Sequence, residues 1–152
     1  MTELNEKSLQ AIVQHHGFTF RRLKKKMATE LAGLHHFEEQ DLVLIGREQK
    51  MDYEMLLEQC MDKTGVEAFW NEMNPDRYIR FAGKRGSIIL LLCGLHLLLD
   101  ALREKFPERH FVLLGSTEGK YVSLRFHQLR AGESWLSDSL EEYEQPVVRV
   151  VV

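Results

Sequence analysis

The chain has little of what staples, exports or arms a protein. Its 152 residues include only two cysteines, Cys60 and Cys93, and both fall on apolar helical faces. They read as buried thiols of a reducing compartment rather than as a disulfide framework. The amino end, Met1 to Glu6, is acidic and lacks the cationic and apolar regions of an export signal. No apolar run is long. The longest, Ile88–Leu99, holds 12 residues, short of the roughly 20 that cross a bilayer. The prolines are three, and each marks a boundary: Pro75 and Pro107 end helices, and Pro146 introduces the last strand. These absences point to a soluble cytoplasmic protein.

Missing motifs exclude chemistry in the same way. There is no Gly-x-Ser-x-Gly nucleophile elbow, no His-x-x-x-His and no Cys-x-x-Cys. The adjacent pairs His15-His16 and His35-His36 diverge by about 100° if helical and cannot chelate together there. Cys93 lies in an apolar helix, where a thiol pKa rises and its reactivity falls. His96, in the same helix, reads as a core histidine donating to a carbonyl. The sequence therefore argues for no cofactor, no metal and no recognisable enzyme.

What is present is a core. Apolar residues make up 44% and charged residues 28%, enough for one globular domain over 1–152. Ser87 to Phe106 is apolar on nearly every side, so it belongs at the centre, with Ser87 as its cap. A short helix ends near Gly17. A second runs from about Phe18 to Leu34, capped by Thr19, with Phe20, Leu23, Met27 and Leu31 on one side.

Asp41–Gly46 and Tyr78–Phe81 read as strands, and a helix capped by Asp52 follows Met51. Thr64 and Glu67 have capping-box spacing and open a helix that buries Val66, Phe69, Trp70 and Met73. Past Pro107, strands Arg109–Gly115 and Lys120–Gln128 flank a hairpin loop, and the latter alternates strictly. Val147–Val152 forms the final strand. The expected fold is α+β: a mainly antiparallel sheet of about five strands, a buried central helix, and N-terminal helices packed on it.

Candidate sites lie on the exterior. Net charge is only −3, but it is unevenly spread: residues 34–76 carry three basic and eleven acidic side chains. Arg21, Arg22, Lys24, Lys25 and Lys26 turn away from their helix's apolar stripe, either as a solvated face paired with Glu38, Glu39 and Asp41, or as a dock for an anionic partner. The carboxylates Glu133, Asp138, Glu141 and Glu142 surround Trp135, either as a protein-binding surface or with Trp135 and Leu136 folded over the sheet.

Gly83 to Ser87 offers Lys84, Arg85 and Ser87, with Arg80 nearby, as a turn that could cradle a phosphate, though it fails the P-loop pattern. The bare final strand is either central in the sheet or covered by a second copy in a homodimer. The leading reading is a non-catalytic protein–protein interaction module, a regulator or immunity-type protein, acting through charged surfaces. A nucleotide or other phosphorylated ligand at Gly83–Ser87 comes second, and nucleic acid on residues 21–26 ranks last.

Overall fold

The computed structural model describes residues 2–3, 6–46, 52–80, 83–137 and 143–152. In chain order the elements are β1 (Thr2–Glu3), α1 (Glu6–His15), α2 (Gly17–Ala32), β2 (Leu34–Phe37), β3 (Leu42–Ile45), α3 (Tyr53–Cys60) and α4 (Lys63–Trp70). A 3-10 turn at Pro75–Arg77 follows, then α5 (Lys84–Lys105), β4 (Phe111–Glu118), β5 (Tyr121–Gln128) and β6 (Val147–Val151). The fold is α+β. One sheet has the order β1-β6-β4-β5, antiparallel except for the two-residue β1; the other is the antiparallel hairpin β2-β3.

Register sorts the larger sheet into two faces. Leu113, Val122, Leu124, Phe126 and Val150 point to one side and join Leu91, Leu95 and Leu98 of α5 in the main core. Contact there is close. A Cβ on Gly115 of β4 would sit 2.8 Å from Leu91 Cδ1, and one on Gly94 of α5 would sit 2.5 Å from Leu124 Cδ1. By length and composition α5 could cross a bilayer, yet 67% of its most apolar window is buried in the domain. It packs against α1, α2, β4 and β5. β6 lies between β1 and β4, and Val147 and Val150 are buried there, while Val151 stays 56% exposed.

A single segment closes one edge of each sheet. On the β3 side, Glu67 Oε1 accepts from Val43 N at 2.7 Å, and Asn71 accepts from Ile45 N while donating to Val43 O. Trp70 Nε1 donates to Ile45 O at 2.9 Å. On the β5 side, Glu67 Oε2 accepts from Gln128 N at 2.6 Å, and Asn71 also donates to Phe126 O. Met73 and Leu124 exchange backbone bonds at 2.8 Å, and Asp76 accepts from Val122 N at 3.0 Å. Glu67 and Asn71 are four apart on one helix face, so α4 places both at this seam. Buried strand edges need such partners, and here side chains supply most of them.

Several expectations are corrected. Tyr78–Arg80 is not a strand; the Pro75 turn bends the chain and Ile79 inserts into the core. Phe81 lies outside the described residues. α2 begins at Gly17 rather than after Thr19, with His16 at its N-cap. Asp62, not Thr64, caps α4, accepting from Gly65 N at 2.7 Å. Gly83 precedes α5, so Ser87 sits inside that helix instead of capping it. Phe69 is exposed. His35 and His36 lie on β2, an unanticipated strand, and not on a helix.

Candidate functional site

α2 has two unlike faces. Leu23, Met27 and Leu31 are buried. The opposite side carries Arg21, Arg22, Lys24, Lys25 and Lys26, all exposed, together with Phe18, which is 72% exposed. Arg22 and Lys25 fall within about 40° of Phe18 around the helix axis, so aromatic ring and cations share one stripe. None of the five cations makes an ion pair or side-chain hydrogen bond with another described residue. The anticipated pairing with Asp41 does not form. Asp41 Oδ1 instead accepts from Arg109 Nη1 at 2.8 Å and lies 3.0 Å from His36 Nε2. The Arg109 guanidinium first, and His36 second, hold the Asp41 carboxyl at a pKa of about 2.

The Trp135 loop folds inward. Trp135 is half-buried, with Arg125 Cζ 5.8 Å from its ring centre. Arg125 in turn pairs with Glu72 at 2.8 Å and donates to Ala68 O. Trp135 and Leu136 line a cleft of about 320 Å³ on the sheet face away from α5, with Ser116, Ser123 and Tyr143. Glu133 Oε2 accepts from Thr64 N in the first turn of α4, so this carboxylate serves the fold. Asp138, Glu141 and Glu142 lie outside the described residues.

At the glycine turn, the Ser87 hydroxyl is buried and donates to Gly119 O at 2.9 Å, leaving it no proton for a ligand. That bond draws the β4–β5 turn onto the start of α5. Lys84 opens that helix and Arg85 is exposed on it. Arg80 lines a larger cleft of about 670 Å³ with Arg77, Lys120 and Tyr121.

Sequence reasoning missed a buried polar centre. Glu67 is 0% exposed and accepts from Val43 N, Gln128 N, Gln128 Nε2 and both terminal nitrogens of Arg130, the shorter at 2.8 Å. Burial alone would lower the Arg130 pKa, but the Glu67 carboxylate raises it on balance. Arg130 and Gln128 also donate to Asp41 O. Every Glu67 acceptor is spent on the seam, so the group braces rather than transfers protons.

Burial pushes the Cys93 thiol up to about 11. His96 Nδ1 faces Asp100 Oδ2 at 3.2 Å outside hydrogen-bond geometry, with Phe20 edge-on to the ring, so the expected carbonyl acceptor is replaced by a carboxylate neighbour. Burial lowers the His127 pKa, and its Nδ1 lies 2.8 Å from Gln128 O. Among the described residues, no group of three or more His, Cys, Asp or Glu is placed to hold a metal ion.

No curated protein and no solved structure matches the chain. Residues 4–151 match a family whose description gives no activity. That match spans nearly the whole sequence, and the chain belongs to the Uncharacterized protein PM0498 family.

Proposed function

We propose that this is a non-catalytic binding module of the cytoplasm whose α2 surface docks an acidic partner protein. One observation carries the reading: Phe18 stands 72% exposed within a stripe of cations that pair with no described residue, on a helix whose other face serves the core. Leaving a phenylalanine in water forgoes about 1.5–3 kcal/mol of burial. An aromatic anchor ringed by arginine and lysine has the make-up of an interface hot spot, and cations at its margin steer an acidic surface into register. Net charge of −3 supports a protein partner over nucleic acid, which favours broad positive potential. The Trp135 loop is left out of this surface, because Trp135 packs on Arg125 and Glu133 binds Thr64.

The test installs a photo-reactive phenylalanine analogue at position 18 in cells and identifies what it captures. A protein adduct formed through an acidic segment, and lost when Lys24, Lys25 and Lys26 become Glu, supports the reading. An adduct digested by nuclease, or one indifferent to the charge reversal, overturns it.

A further inference from the structure

We infer that the cleft between the 3-10 turn and the β4–β5 hairpin binds a nucleoside di- or triphosphate through Arg77, Arg80, Lys120 and Tyr121. These residues line one concavity of about 670 Å³, within the size range of small-molecule sites. Its charges are unequally committed. Of the two carboxylates in the wall, Asp76 accepts from Val122 N at 3.0 Å, and Glu72 binds Arg125 at 2.8 Å and Ser123 at 3.0 Å. Neither negative group is spent on the three cations. The Arg77, Arg80 and Lys120 side chains make no hydrogen bond or ion pair with a described residue, and Lys120 Nζ lies only over the Tyr121 ring, 5.4 Å from its centre. Three like charges lining one cleft repel each other, and a polyanion between them relieves that repulsion.

The backbone beneath these cations is fixed. Arg77 N donates to Asn74 O, Pro75 and Ile79 are buried, and Ser87 holds Gly119 O beside Lys120. Guanidinium forks match phosphate oxygens two at a time, and a lysine adds a point charge. In net charge, Arg125 offsets Glu72 and Asp76 offsets one of the three cations, so two positive charges remain for phosphate oxygens. Tyr121, 62% exposed at the rim, supplies a flat face for a base. This cleft shares Arg80 with the Gly83–Ser87 phosphate site expected from the sequence.

Calorimetric titration at about 100 mM salt, where the Debye length is near 10 Å and loose surface attraction is damped, tests the proposal. The probes are the four common nucleoside diphosphates, inorganic pyrophosphate and a single-stranded oligonucleotide. The expected result is that at least one nucleoside diphosphate binds, more tightly than pyrophosphate. Arg77→Gln with Arg80→Gln weakens it tenfold or more, and Tyr121→Ser removes its advantage over pyrophosphate. All three side chains are exposed, so unchanged melting of the free variants establishes that they fold. The proposal fails if no nucleotide binds at millimolar concentration, if pyrophosphate binds as well as any nucleotide, or if the arginine variant binds normally. It fails equally if the oligonucleotide binds more tightly than the nucleotides with the same arginine dependence. The α2 surface shares none of these residues, so either proposal stands or falls without the other.

Discussion

Removing Glu67 should cost the fold more than removing the arginine that pairs with it. Glu67→Ala orphans the backbone N–H groups of Val43 and Gln128 and leaves Arg130 without its carboxylate. Each buried donor left unmet costs about 1–3 kcal/mol, and breaking a buried ion pair from one side costs about 3–5 kcal/mol. These losses overlap, so the expected destabilisation is about 4 kcal/mol, a large share of the 5–15 kcal/mol typical of a whole domain.

Arg130→Ala is milder, because the carboxylate keeps three of its N–H donors. Its cost should be about 3 kcal/mol, the low end for breaking a buried ion pair from one side, because those donors still compensate the carboxylate. The apolar double variant Glu67→Leu with Arg130→Leu removes both charges but still strands the two backbone donors. It should remain at least about 2 kcal/mol below the parent protein. Urea unfolding followed by circular dichroism and by tryptophan fluorescence gives these values, with Trp70 reporting from the seam itself through its bond to Ile45 O. The reasoning is refuted if Arg130→Ala costs as much as Glu67→Ala, or if the double variant regains full stability.

Two further outcomes are expected. Carboxyl-carbon NMR should place the Asp41 titration midpoint near pH 2, and Arg109→Gln should move it up towards the ordinary value of about 3.9. Because the folded pKa is the depressed one, the stability this pair adds is complete above about pH 4 and disappears as pH falls towards 2. Its size should be small and salt-sensitive, since the Asp41 side chain is 52% exposed; a wild-type midpoint near 4 contradicts the geometry. Gly94→Ala should lower stability by about 1–3 kcal/mol, as its methyl meets the buried Leu124 at 2.5 Å. In a Leu124→Ala background the same change should become neutral or favourable in thermal unfolding; an undiminished cost there would place the strain elsewhere.

Periodicity made much of this fold legible from the chain. The apolar stripe of α2, the alternation of Val122, Leu124 and Phe126, and the solid run in α5 each declare a buried face, and each is buried except at Ile88, where the α5 run begins exposed. Where pattern and partner diverge, the reading failed. Tyr78 to Arg80 has strand-forming composition, but Pro75 sets a turn whose backbone bonds close locally, Tyr78 N to Pro75 O among them. β2 hides because His35 and His36 fill half of a four-residue strand that pairs on one side only. Glu67 met the spacing of a capping box with Thr64, yet Asp62 captures the cap position first and frees Glu67 to face inward. Its partners Gln128 and Arg130 lie 61 and 63 residues away, a proximity that no local pattern encodes. The same holds for Arg77, Arg80 and Lys120, which only the folded hairpin brings to one cleft.

The stretch from Glu67 to Asp76 also decides how this molecule can go wrong. Because one length of chain fastens two separate ladders, its local release would bare both borders at the same instant. At those two borders, exchange of strands between copies or growth into fibres therefore has a single gate to pass. Protection there is all or nothing.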